Sequence, residues 1–144
     1  MSDTSRPDDT ERASRQDIAD VLIEYATGID SRDWALFRSC FTDDCVADYG
    51  DAVGRFEGVD ALTAFMIDSH ADMGHTLHRI SNISVAVDGD VATARSYVDA
   101  VLLAPDGLTG VNPIGFYDDD LTCEDGKWRI RRRQVTIATY RVIG

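Results

Sequence analysis

Long apolar runs are missing from this chain. The longest uninterrupted one spans Ala100–Ala104, between Asp99 and Pro105, far short of the roughly 20 residues a membrane-crossing helix needs. Basic residues are scarce too: 14 Lys and Arg stand against 26 Asp and Glu, for a formal net charge of −12. A surface of that sign repels phosphate backbones and anionic headgroups, so neither nucleic acid nor a membrane is expected as a partner. The one basic run, WRIRRRQ at residues 128–134, is short and lies inside a strand-like pattern. The 3 cysteines, Cys40, Cys45 and Cys123, are odd in number and lack C-x-x-C spacing. They read as reduced thiols of a cytoplasmic protein, neither a disulfide framework nor a zinc site. No G-x-S-x-G, phosphate-binding loop or G-x-G-x-x-G occurs. The opening stretch MSDTSRPDDTERAS has no apolar centre of the secretory kind, and residues 1–13 are expected to form a mobile polar tail.

What remains is one domain over residues 14–144, with 44% hydrophobic residues in a chain of 144. Ser14 with Asp17 fits a helix start. Ile18, Val21, Leu22, Tyr25, Ala26 and Ile29 then step by three and four along one helix face. Gly28 weakens the last turn. A second short helix, WALFRSCF, offers Trp34, Phe37 and Phe41 to the same core, which places Asp30 at the corner of a helical hairpin. DDCVADYG and GRFEG read as short strands, and a third helix follows from Asp60.

Beyond residue 75 the period changes to two. Two strands meet at Asp88-Gly89-Asp90, the strongest hairpin turn in the chain, and a second hairpin turns at EDGK. In the first of these strands His78 and Ile80 share one parity, whereas Ile83, Val85 and Val87 share the other. A β-bulge near Ser81–Asn82 would reconcile them and curve the sheet. A loop containing Pro105, Gly107, Gly110 and Pro113 separates the hairpins. Helices followed by a long antiparallel meander define the α+β class: three N-terminal helices packed on a strongly curved antiparallel sheet, a cone-shaped α+β barrel.

Three residues stand out. A tyrosine on an apolar helix face is commonly a core residue, an aspartate at a turn commonly serves local amides, and a histidine on a strand is commonly structural. Taken together, Tyr25, Asp30 and His78 gain meaning if the sheet folds over the hairpin. A carboxylate that accepts one imidazole N–H fixes the tautomer and leaves the other nitrogen as a base. His75 and His78 form H-x-x-H, but on a strand they point to opposite faces, so metal is not expected. The acidic runs Asp43–Asp44 and Asp118–Asp120 read as solvated positions. Strict alternation from Trp128 sends Arg133 outward, and one bulge would turn it inward, where a guanidinium could stabilise an oxyanion.

Three segments, YATGIDSRDWALFRSCFTDDC, LHRISNISVAVDGDVATARSYV and DGKWRIRRRQV, together resemble the SnoaL-like branch of the nuclear transport factor 2-like superfamily. The resemblance spans nearly everything after residue 14. It implies a cone-shaped fold, often in dimers or trimers, and in the scytalone and bile-acid dehydratases and the lindane dehydrochlorinase an Asp–His dyad in an apolar pocket. Asp30 and His78 match the dyad positions. Tyr25 matches the position five before the aspartate, and Arg133 the arginine of the last strands. The implied activity is a cofactor-independent lyase, most simply a dehydratase, acting on a hydrophobic cyclic small molecule. Trp34, Phe37, Tyr49, Phe65, Met66 and Tyr97 are expected to line its pocket, and no cofactor is expected. An isomerase or cyclase using the same groups, or a non-catalytic binding or accessory subunit, are the alternatives, and the assembly is expected to be a homodimer or homotrimer.

Overall fold

The structure, a computed structural model, describes residues 8–144. Its elements run α1 (Asp9–Ser31), α2 (Trp34–Ser39), β1 (Phe41–Asp48), β2 (Arg55–Glu57), α3 (Val59–His70), β3 (Thr76–Asp88), β4 (Val91–Leu103), β5 (Gly110–Glu124) and β6 (Lys127–Ile143). The helices pack against one six-stranded sheet of order β2-β1-β6-β5-β4-β3. The class is α+β as expected, with two differences in the sheet. It is an open sheet, not a closed barrel. It is also mixed, because β1 runs parallel to β6 while every other neighbouring pair is antiparallel. The parallel pair arises because β1 precedes the meander and its last strand returns beside β1 in the same direction.

α1 begins earlier than Ser14. Asp8 is the N-cap, and its carboxylate accepts the Glu11 backbone N–H at 2.7 Å. Asp8-x-x-Glu11 is itself a capping pattern, and it outcompetes the weaker start at Ser14. Residues 9–13 therefore belong to the helix, and residues 1–7 of the expected tail lie outside the described residues. The apolar stripe is buried as the spacing requires, with Ile18, Leu22, Tyr25 and Ile29 essentially inaccessible. Gly28 has a use beyond weakening its turn: a Cβ there would stand 2.9 Å from the Phe37 backbone nitrogen. Only glycine lets α2 cross so closely. The α1 helix ends at Arg32, whose left-handed backbone (φ 58°) lets its N–H reach the Gly28 and Ile29 carbonyls.

The meander carries the bulges that shape it. Ser81 pairs with Tyr97 but Ser84 with Arg95, and Asn82 has φ 48°, so the expected bulge is present. Gly89 turns the first hairpin, and Asp125 and Gly126, both with positive φ, turn the second. A further bulge falls at Arg131, between the pairs Leu121–Ile130 and Asp120–Arg132. Gly110 and Pro113 lie within β5 and not in the connecting loop. Pairing between β4 and β5 lapses at Asn112 and Pro113, where proline has no N–H to give. The Asn112 side chain fills in, donating to the Ala100 carbonyl at 2.6 Å and to Asp99 Oδ1 at 2.8 Å. No helix among the described residues is long and apolar enough to cross a membrane.

Candidate active site

The end of α1 meets the beginning of β3 through one carboxylate. Asp30 Oδ2 accepts the His78 backbone N–H at 2.7 Å, and Oδ1 lies 2.7 Å from His78 Nδ1. The Thr76 hydroxyl also donates to Oδ1, at 3.0 Å. Behind it Arg32 ties both elements together, donating to Thr76 Oγ1 at 2.7 Å and to the carbonyls of Ile29 and Gly74, each at 2.9 Å. No local pattern marks Arg32 or Thr76, because their part depends on a contact between distant segments. Burial works to raise the Asp30 pKa, but the ring and backbone N–H of His78, the charge of His78 and the Thr76 hydroxyl outweigh it and hold the carboxyl below its usual range. An ionised carboxylate can only accept, so Nδ1 carries a proton in this pair; in the neutral ring Nε2 then keeps its lone pair.

His78 forms part of the wall of a cavity of about 240 Å³ under the sheet. Its lining is largely apolar. Ile29 comes from α1, Phe65 and Met66 from α3, Val98, Ala100 and Leu102 from β4, and Val135 and Ile137 from β6. The inward positions of β4 are small (Ala94, Ser96, Val98, Ala100), which leaves room under the sheet. Polar groups reach the cavity at few points: His78, His70, Ser69 and the tyrosines Tyr25, Tyr49 and Tyr117. A mostly apolar hollow with a few converging polar atoms is the usual form of a small-molecule site. A larger concavity of about 650 Å³ near Arg38, Asp43, Asp44 and Glu124 is open and polar and shares no lining residue with this cavity.

The Tyr25 and Tyr49 hydroxyls share a hydrogen bond of 2.7 Å. Burial pushes both well above the ordinary tyrosine range, only partly offset by the positive charge of Arg133. Both therefore remain protonated donors. Arg133 is turned inward by the bulge at Arg131 and is fully buried, yet it does not line the cavity. Its guanidinium stacks on the Tyr25 ring at 4.1 Å and on Tyr117 at 3.9 Å. It makes a bidentate pair with Asp119, Nε to Oδ1 at 2.8 Å and Nη2 to Oδ2 at 2.9 Å. Burial opposes the charge on Arg133, but Asp119 holds the guanidinium protonated well above its usual value.

Several expected placements are corrected here. Asp119 is not solvated but buried, on the inward parity of Tyr117 and Leu121; that parity was the available signal. Of the six expected lining residues, Tyr49, Phe65 and Met66 line the cavity, while Trp34, Phe37 and Tyr97 do not. Phe37 is sealed in the core beneath Gly28. Trp34 packs edge-on against Phe37 and His70. Tyr97 faces outward, because the inward positions on β4 are its even-numbered residues. His70, Tyr117 and Arg32 are the residues that sequence reasoning passed over.

Two outcomes follow. Removing one partner of the buried pair strands the other's charge, so Asp119→Ala is expected to lower unfolding stability in urea by about 3–5 kcal/mol; a loss within experimental error would contradict the geometry. A carboxyl held below its unfolded pKa adds stability that is complete above about pH 4 and disappears as pH falls through the folded value. The stability gap between the native chain and Asp30→Asn should therefore be constant near neutrality and close in acid. A gap that does not begin to shrink below about pH 4 would show that the carboxylate is not so held.

Residues 10–134 match the SnoaL-like domain family. An uncharacterized protein of Mycobacterium tuberculosis is 30% identical over 130 residues, covering 88% of this chain and 86% of the relative. Among solved structures, a Novosphingobium aromaticivorans protein provisionally named a scytalone dehydratase superposes with a TM-score of 0.85 at 24% identity, covering 92% of this chain and 89% of that one. A type 2 hexachlorocyclohexane dehydrochlorinase superposes at 0.84 with 19% identity, covering 95% and 94%. The chain thus belongs to the SnoaL-like family and has the nuclear transport factor 2-like fold.

Proposed function

We propose that this protein is a cofactor-independent lyase, of the dehydratase kind, acting on a hydrophobic cyclic small molecule. One observation carries the reading: the 2.7 Å contact between His78 Nδ1 and Asp30 Oδ1, made where the same residue borders a largely apolar cavity. His78 Nε2 takes a proton from a carbon next to a carbonyl, and the Asp30 carboxylate stabilises the imidazolium that forms. The Tyr25–Tyr49 pair shares one hydrogen internally and has one left to give. That hydrogen serves the carbonyl oxygen as it becomes an enolate, or the hydroxyl as it departs. Arg133 acts through the tyrosines: its charge favours negative charge building up at their hydroxyls. Names given to fold relatives, a scytalone dehydratase and a dehydrochlorinase, describe eliminations from ring compounds and favour the same class of reaction.

Isomerisation or cyclisation would begin with the same proton removal, and product mass separates the outcomes. With a panel of cyclic β-hydroxy ketones followed by mass spectrometry, the native chain is expected to yield a product lighter by one water. His78→Asn should lower kcat by about 10²–10⁴-fold with the fold intact. Undiminished turnover in that variant would remove His78 from the mechanism, and an unchanged product mass would favour isomerisation.

We further propose that the chain self-associates as a dimer or trimer through the outer ends of β5 and β6. Val111 and Val142 are cross-strand partners there, and Tyr140 (64% exposed) and Val142 (73% exposed) leave apolar surface open to water. Sedimentation should give a dimer or trimer that Val142→Glu dissociates; a monomeric native chain would contradict this.

A further inference from the structure

His70 is a titratable group of the cavity wall that the proposed chemistry leaves unused. It is the last residue of α3 and only 7% exposed. Its Nδ1 lies 2.8 Å from the Met66 carbonyl oxygen and 3.0 Å from Ser69 Oγ. A carbonyl oxygen can only accept, so Nδ1 must carry the ring proton. The Ser69 hydroxyl has the same carbonyl as its own acceptor at 3.2 Å, so it does not compete for that role. Nε2 is then a lone-pair acceptor, buried and without a hydrogen-bond partner among the described residues. The Trp34 indole packs edge-on against the ring, with centroids 6.0 Å apart, and fixes its plane. Burial, with the charges of Arg32 and His78, lowers the pKa of this imidazole despite the Met66 hydrogen bond, which keeps the ring neutral.

A buried acceptor without a partner costs free energy in the empty site, and that cost is recovered when a donor arrives. We propose that His70 Nε2 is a fixed acceptor that reads a hydroxyl of the ligand, so that the cavity selects apolar cyclic compounds bearing such a group. The hydroxyl it reads is one the reaction retains. A departing hydroxyl must be given a proton, and Nε2 has none to give; the tyrosine pair does. His70 is thus a specificity residue and not a catalytic one. The inference rests on the cavity being the ligand site, but it does not depend on turnover.

β-Naphthol, its methyl ether and the full chain suffice to test it by calorimetric titration. The affinity ratio of naphthol over ether is expected to be about tenfold larger in the native chain than in His70→Phe. His78 also lines the cavity and offers a nitrogen acceptor, so a ratio lost in His78→Asn but retained in His70→Phe would assign the hydroxyl to His78 and overturn the proposal. Because binding is read without turnover, a failure of the catalytic reading leaves this result untouched. In nitrogen-15 spectra of the native chain, His70 Nε2 should be unprotonated and should shift on adding naphthol but not the ether. Equal ratios in the native chain and His70→Phe, no naphthol binding at millimolar concentration, or a proton on Nε2 would each overturn the proposal. Should His70→Phe fail to fold, the nitrogen spectrum decides alone.

Discussion

One carboxylate joins the two halves of this molecule. Asp30 stands at the end of the helical segment and satisfies both the backbone N–H and the ring of His78, at the start of the edge strand β3. An edge strand has unpaired N–H groups that must find partners, and here one of them finds the same carboxylate that orients the imidazole. The structural and the chemical use of Asp30 are therefore hard to separate. Arg32 and Thr76 make the junction stiff, so the ring is held against the cavity by more than one bond.

The opposite wall is built on a buried charge. Arg133 and Asp119 are both removed from water, and such a pair costs desolvation on each side. A core of apolar residues at those positions would pack with less penalty. What the ion pair adds is an electrostatic floor: the guanidinium sits over the Tyr25 and Tyr117 rings, and its charge favours negative charge at the Tyr25 and Tyr49 hydroxyls. The cavity wall thus carries the His78 imidazole together with the phenols of Tyr25, Tyr49 and Tyr117, which burial keeps neutral.

Local patterns in the sequence were enough for much of this. The stripe Ile18–Ile29, the turn at Gly89 and the parity conflict between Ile80 and Ile83 translate directly into a buried helix face, a hairpin and a bulge. The proximity of Asp30 and His78 was an expectation that rested on resemblance and on the predicted folding, and the coordinates place the two in contact. The parallel pairing of β1 with β6 had no local signal, since nothing near Phe41 or Lys127 specifies a partner so distant in sequence. The bulge at Arg131 was equally silent; no glycine or proline marks it, and it alone decides that Arg133 faces inward. Aromatic content misled in α2, where Trp34 and Phe37 fill the core behind His70 and beneath Gly28 rather than the cavity. On β4 the small residues were the better guide, because space for a ligand comes from what is absent from the inner face.

The proposed chemistry turns on where the protons of the Asp30–His78 pair lie. Asp30 accepts from His78 Nδ1, and a base at this site requires a neutral ring whose Nε2 carries no hydrogen. Neutron diffraction from deuterated crystals at neutral pH reads this directly. The account predicts deuterium on His78 Nδ1, none on Nε2 and none on the Asp30 carboxylate; deuterium on Nε2, or an Asp30 side chain turned away from the ring, would contradict it.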